Sequence, residues 1–294
     1  MMKKLLCLLL ALLMLVGFSV NAMAVGVGEQ RVVLGANLSA EQRAQVFSDF
    51  GLLPGVVPEL TVTIEEERAH LQGLVPDSVI GTRSISSIYI MTTAPGTGLD
   101  ITVNNINWLT EAIYVNALVT AGITDARVII TAPVPVSGTA ALTGIYKAFQ
   151  DITGEPLPEE AMLAGIEEAI ITGNIAAALG DDEQIAALMN ELKLILAEVR
   201  TMSDAEVRDE IRRLAREHNI SLTSEQVEEI LGLARRLQNL DLGALEGTLR
   251  SIANNWDRIN QIGDTATGVF GAIGNFFSNV GSAIGNFFSN LFGS

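Results

Sequence analysis

The feature that most constrains the fold is an alternation of strand-like and helix-like segments between residues 30 and 152, which stops after Pro156. Short runs of β-branched and other apolar residues are typical of buried strands. These runs lie at 31–35, 60–62, 86–93, 99–104 and 126–131. Helices between strands cover the faces of a sheet, so residues 25–153 are predicted to form an α+β or α/β domain with a mixed sheet.

Several helix starts are marked by capping boxes, in which a Ser or Thr side chain and a Glu or Gln three residues later bond each other's backbone N–H groups. The pairs are Ser39 with Gln42, Thr63 with Glu66, Ser203 with Glu206 and Thr223 with Gln226. The second box is expected to open a helix that runs to Leu74, and further helices are expected over 108–120 and 138–152. Residues 94–98, Ala-Pro-Gly-Thr-Gly, predict a hairpin between the strands on either side.

Residues 154–262 lack a strand pattern, and their apolar residues recur at spacings of three and four. The two clearest stripes are Ile185, Leu188, Leu192, Ile195, Val199 and Met202, then Leu242, Leu245, Leu249, Ile252, Trp256 and Ile259. Charged residues fall between the stripes. This periodicity predicts an all-α domain of antiparallel helices packed along apolar seams.

The tail, residues 263–294, carries no charge after Asp264 and repeats the octapeptide Ala-Ile-Gly-Asn-Phe-Phe-Ser-Asn with an offset of eleven residues. Eleven residues make about three helical turns, so both copies present the same face. The proposed membrane-binding or self-association residues on that face are Ile273, Phe276, Phe277, Val280, Ile284, Phe287, Phe288 and Leu291. Interior glycines disfavour a helix in water, so the tail is expected to become helical only against an apolar surface. That surface is a membrane interface, other copies of the chain, or its own helical domain.

Residues 1–24 read as a signal peptide, with Lys3 and Lys4 before a short apolar run and a small-x-small cleavage site that ends at Ala24. The protein is therefore expected to be secreted or associated with the cell envelope. Cys7, the single cysteine, lies in this segment. The mature chain would then form no disulfide and use no thiol chemistry.

The formal net charge is −16, from 18 basic and 34 acidic residues. Binding to nucleic acid depends on basic patches, so this balance predicts no nucleic-acid partner. Neither His70 nor His218 lies in a metal-binding spacing. The sequence therefore predicts no metal and no cofactor.

The strongest local candidate for chemistry is the segment around Ser137, where a strand leads through two prolines into the start of a helix. Ser137 is a candidate nucleophile and Arg83 a candidate anion partner, and His70 is a third candidate catalytic residue. The simpler interpretation makes Ser137 the N-cap of the helix, with Gly138 allowing close packing on the sheet.

Residues 73–87 (GLVPDSVIGTRSISS), 116–123 (NALVTAGI) and 132–144 (APVPVSGTAALTG) resemble the YpuA-like family of exported Gram-positive proteins of unknown function. The resemblance covers most of residues 28–260. It implies a signal peptide and an extracytoplasmic location, and it attaches no reaction, ligand or catalytic residue to any position.

The sequence thus favours an exported, envelope-associated protein that binds or scaffolds without catalysis and uses its tail at a membrane surface or in self-association. Its envelope partner is unknown. The alternative is a secreted hydrolase that acts on cell-envelope material around the Ser137 segment.

Overall fold

The computed structural model describes residues 26–75 and 77–240. The predicted signal peptide, the second helical stripe and the tail lie outside these residues. The strands β1 to β5 span Gln30–Gly35, Glu59–Val62, Ser87–Thr92, Leu99–Ile106 and Ala126–Val136. The first helices, α1 to α5, span Ala40–Phe50, Ile64–Leu71, Asp77–Ile80, Glu111–Thr120 and Thr139–Thr153. The later helices, α6 to α10, span Glu159–Leu179, Asp182–Leu194, Leu196–Val199, Asp204–Glu217 and Ser224–Leu237. The predicted fold class is confirmed, since a mixed sheet with helices precedes a helical region.

All four predicted capping boxes are present, at the starts of α1, α2, α9 and α10. Each satisfies backbone N–H groups that the first turn of a helix cannot pair internally. Helix α2 ends at Leu71 rather than at the predicted Leu74. It ends there because Gln72 is extended and Gly73 adopts a φ of 88°, a left-handed conformation suited to glycine.

The five strands form one mixed sheet in the order β2-β1-β3-β5-β4. β1 pairs parallel to β2, and β4 pairs parallel to β5; the other two neighbouring pairs are antiparallel. Parallel neighbours need a crossover. Helix α1 lies between β1 and β2 along the chain, and α4 lies between β4 and β5.

The predicted hairpin between β3 and β4 is wrong, because β5 lies between them. β5 carries the fully buried Val128, Ile130 and Ala132, and a strand of that kind is stabilised by a neighbour on each side. β4 alternates buried and exposed residues and takes the edge. The turn-forming residues 94–98 instead lead around the start of β5, where the N–H of Thr93 donates to the carbonyl of Asp125 at 3.1 Å.

β5 also extends five residues beyond its predicted end and includes Pro133 and Pro135. Proline lacks the N–H that a sheet ladder uses, so it is tolerated where a strand lacks a neighbour. The pairing with β3 ends at Thr131, so the proline-containing part of β5 has only β4 beside it.

Residues that alternate along the strands contribute to two cores, one on each face of the sheet. Val32, Leu34 and Tyr89 pack with Phe47 and Phe50 of α1 on one face. The opposite face supplies a larger core, which α4, α5 and part of α6 complete. Helix α6 is long and apolar enough to span a membrane by length and composition, but 67% of its apolar window is buried inside the fold.

Helix α6 belongs to both halves of the described chain. Ile166 and Ile170 join the core beneath the sheet, whereas Ile171 and Ile175 join the core of the helical region. The first predicted stripe lies in that second core, with Ile195 and Met202 at its edge.

An ion pair between Glu168 of α6 and Lys193 of α7 lies where these helices meet α4. The Nζ–Oε1 distance is 2.8 Å, and the two side chains are 1% and 0% exposed. Lys193 also donates to the carbonyl of Asn116 and to the Thr120 hydroxyl, both on α4. Burial lowers the pKa of Lys193, an effect that Glu168 opposes. The buried charges are therefore compensated by each other and by α4.

We expect Lys193→Met to lower the free energy of unfolding by about 3–5 kcal/mol, because it leaves Glu168 buried without a counter-charge. The double variant Glu168→Leu/Lys193→Met removes both charges and should be more stable than Lys193→Met alone. Urea unfolding followed by circular dichroism measures both. A double variant that loses at least as much stability as Lys193→Met would contradict this account of the pair.

Candidate functional site

A cleft of about 430 Å³ lies where β5 leads into α5, a volume typical of small-molecule sites. Its walls come from α2, from α3 and the segment that follows it, from the end of β5 and from the start of α5. The polar residues that line it are Glu67, Ser78, Thr82, Arg83, Ser86, Asn107, Ser137 and Thr139. Val79, Ile80, Ile85, Trp108 and Val136 supply apolar wall.

Gly138 is the N-cap of α5, so the interpretation of Ser137 as the N-cap is wrong. Gly138 has a φ of 96°, and a Cβ there would lie 2.3 Å from the Tyr114 hydroxyl. Only glycine fits both the left-handed backbone and this close approach. Since glycine has no capping side chain, no side chain caps the first N–H groups of α5, whose first residues, Thr139 and Ala140, line the cleft.

Ser137 is held by its neighbours rather than activated by them. Its Oγ donates to the backbone carbonyl of Val79 at 2.9 Å and lies 3.1 Å from the hydroxyl of Thr139. A serine nucleophile needs a base within hydrogen-bonding reach of its hydroxyl. Among the described residues, no carboxylate or histidine bonds to Ser137.

Arg83 lines the same cleft as Ser137, whereas His70 does not. Arg83 is exposed and donates to the carbonyl of Asn37 at 2.8 Å. His70 lies near the end of α2, half-buried, outside the cleft wall. The structure therefore brings together two of the three proposed residues.

Glu67 is the residue of the cleft that sequence reasoning missed. It is 1% exposed, accepts a short hydrogen bond from the Thr139 hydroxyl through Oε1, and has no partner for Oε2. Negative charge in the first turn of a helix is favourable whatever its function, so the run of three glutamates does not by itself single out Glu67. A signal was present: Glu66 completes the capping box, and Glu67 precedes Leu71 by four residues on the inward face.

Burial raises the pKa of Glu67 to about 7, although the Thr139 hydrogen bond and the charge of Arg68 oppose this. At neutral pH the carboxyl is thus divided between its neutral and ionised forms. The adjacent Glu66 behaves differently. Burial raises the pKa of Glu66 as well, but bonds from Lys147 and Thr63 outweigh it and hold that pKa below its usual value.

The cleft thus combines a buried carboxyl, an uncapped helix start, one cation and several hydroxyl groups. Such groups can orient and hold a small polar molecule by hydrogen bonds. Within 26–75 and 77–240, no group of three or more His, Cys, Asp or Glu residues is arranged to hold a metal ion.

The fold and the cleft define a protein with an α/β half, a helical half and a small polar site at the end of the sheet. The family described as "Protein of unknown function (DUF1002)" matches residues 34–254, and the chain belongs to this family. It is 33% identical to "Uncharacterized protein YpuA" of Bacillus subtilis (strain 168) over 79% of this chain and 80% of that protein. The family resemblance in the sequence is confirmed. No solved structure matches the chain.

The Glu67 carboxyl should make stability depend on pH, and Glu67→Gln should remove that dependence. A raised pKa means that the folded state holds a proton that the unfolded state releases between about pH 4.5 and 7. The free energy of unfolding is therefore higher below this window and falls as pH rises through it, by at most about 3 kcal/mol in total. Urea unfolding at pH 4.5, 6 and 8 measures the effect.

The matched control is Glu65→Gln, two residues away on the exposed side of the same helix. It should follow the pH dependence of the wild type. If the free energy of unfolding of Glu67→Gln instead changes with pH as that of the wild type does, Glu67 does not titrate in this window.

Proposed function

We propose that this protein is exported and binds a small polar molecule in the cleft without catalysing a reaction on it. The observation that carries the proposal is the carboxyl group of Glu67, a residue that lines the cleft and whose Oε2 is buried without a partner. A buried polar atom without a hydrogen bond costs about 1–3 kcal/mol. A ligand that bonds to this atom recovers part of that free energy on binding.

Export is supported by the basic, apolar and small-x-small pattern of residues 1–24. The tail is proposed to attach the protein to a membrane surface. Two copies of a Phe-Phe pair supply the apolar contact, and the tail has no basic residue that would rely on anionic lipid. Along the chain, the helical half lies between the residues of the cleft and the tail.

The hydrolase alternative is less well supported by the geometry at Ser137. Its hydroxyl proton is used by the Val79 carbonyl, and the carboxyl of Glu67 bonds to Thr139 instead. We expect Ser137→Ala to lower the free energy of unfolding by about 0.5–1.5 kcal/mol, the contribution of one hydrogen bond. Hydrolysis of cell-envelope material by the wild type that Ser137→Ala lacks would establish the alternative.

A fragment screen tests binding in the cleft directly. We expect small polar fragments to shift the NMR signals of the Trp108 indole and the Thr139 amide, because both residues line the site. Ser78→Trp should block the mouth and weaken these responses. The matched control, Ser48→Trp, places the same side chain at an exposed position of α1 and should leave them unchanged. A diverse screen in which no fragment moves either signal would refute the proposed function.

Co-sedimentation with liposomes tests the tail. The wild-type protein should pellet with the vesicles, and replacing Phe276, Phe277, Phe287 and Phe288 by Ser should abolish this, since each buried Phe contributes about 1.5–3 kcal/mol. If neither form pellets, membrane attachment is wrong. Different oligomeric masses of the two forms would then indicate self-association, and equal masses would indicate packing on the protein's own helices.

A further inference from the structure

The cleft contains two positive features and no competing acid other than Glu67. Of the charged side chains in the described part of the chain, only Arg83 and Glu67 line it. Arg83 forms no ion pair with a described residue, and one of its nitrogens donates to the Asn37 carbonyl. The remaining guanidinium N–H groups are available to a ligand.

The start of α5 supplies the second positive feature. This helix has 15 residues, no side chain caps its N-terminus, and Thr139 and Ala140 of its first turn line the cleft. The N–H groups of a first turn have no partner within the helix, and the helix dipole favours negative charge there. Glu67 lines the cleft together with these two residues.

Glu67 lies directly against this helix start, because the hydroxyl of Thr139 donates to its Oε1. Glu67 lines the cleft, and its Oε2 is buried and lacks a partner. An ionised carboxyl at this position would repel an anion, whereas a neutral one donates a hydrogen bond to it. A carboxylate ligand can accept this hydrogen bond. Its single negative charge also matches one arginine and a helix start.

We propose that the ligand is a small molecule bearing one carboxylate group, held between Arg83, the first N–H groups of α5 and a protonated Glu67. The inference rests on the proposed function and specifies its ligand. Phosphate fits less well. Its monoanion, the main form at pH 6, turns hydroxyl groups toward hydrogen-bond donors, and its dianion brings two charges to a site with one cation in a chain of net charge −16. No bond is made or broken, and the proton shared by the two carboxyl groups stays between them.

Binding should weaken as pH rises, since ionisation of Glu67 places two negative charges side by side. The charge of Arg68, on the same helix, opposes this effect, and Arg83 lines the same cleft as Glu67. Other ionisable groups around Glu67 either pair elsewhere or stay neutral over the range tested. They are Asp77, which pairs with Arg68; Lys147, which pairs with Glu66; and Tyr114, whose pKa burial raises well above its usual value.

The test is an NMR titration of the exported protein with acetate, acetamide and phosphate at constant ionic strength. Acetate and acetamide have nearly the same shape and differ in charge. At pH 6 we expect acetate to shift the Thr139 and Ala140 amide signals saturably and to bind at least about tenfold more tightly than acetamide or phosphate. Hexanoate and a tetrapeptide with a free C-terminus then distinguish a free acid from a chain end as the source of the carboxylate.

Two variants assign the effect to these residues. Arg83→Gln should weaken acetate binding about tenfold. In the wild type, acetate should bind about tenfold more weakly at pH 8 than at pH 5.5, and Glu67→Gln should bring that ratio close to one. Glu65→Gln is the control and should behave as the wild type does.

Acetate that binds no better than acetamide, tighter binding of phosphate, or acetate binding that Arg83→Gln leaves unchanged would each overturn the carboxylate assignment. The fragment screen separates this failure from failure of the proposed function. If fragments without a carboxylate bind in the cleft, the proposed binding function stands and the ligand is of a different class. A screen in which no fragment binds would refute both the proposed function and the carboxylate assignment.

Discussion

The pairing of β5 on both of its edges holds the sheet together and places the cleft. β5 bonds to β3 through residues 126–131 and to β4 along most of its length, so it joins the antiparallel and parallel parts of one sheet. Because the pairing with β3 ends at Thr131, opposite Ser87, the last part of β5 extends past its neighbour before the chain turns into α5. The open space at that edge is where the cleft forms, and the same extension carries Ser137 and Gly138 to its wall.

Local signals in the sequence located most of the strands and helices but did not determine their arrangement. The four capping boxes depend only on residues three positions apart, and all four form as predicted. The β3–β4 hairpin failed because strand pairing depends on partners far along the chain. Residues 94–98 are good turn formers in either arrangement, so their composition does not distinguish a hairpin from a loop around β5.

The candidate site shows the same limit at the level of single side chains. Glu65, Glu66 and Glu67 are identical in type and adjacent, yet one is exposed, one pairs with Lys147 and one is buried in the cleft. Helical periodicity separates Glu67 from the others. Its contact with Thr139 joins residues 72 positions apart and depends on how α2 packs against α5. That Ser137 and Arg83 share the cleft while His70 lies outside it is likewise a product of the tertiary fold.

The buried Glu168–Lys193 pair bears on whether the cleft half and the helical half act as separate units. Separating α7 from α4 and α6 would expose Lys193 to water and leave Glu168 without its counter-charge, and the bond from Asn116 to the Ala186 carbonyl would also break. Helix α6 adds apolar contacts to both cores. A buried ion pair adds little stability beyond an apolar one, but it disfavours arrangements in which only one partner is buried. The pair therefore fixes how α6 and α7 pack against α4, and the cleft half and the helical half are joined by buried contacts that would be lost if they separated.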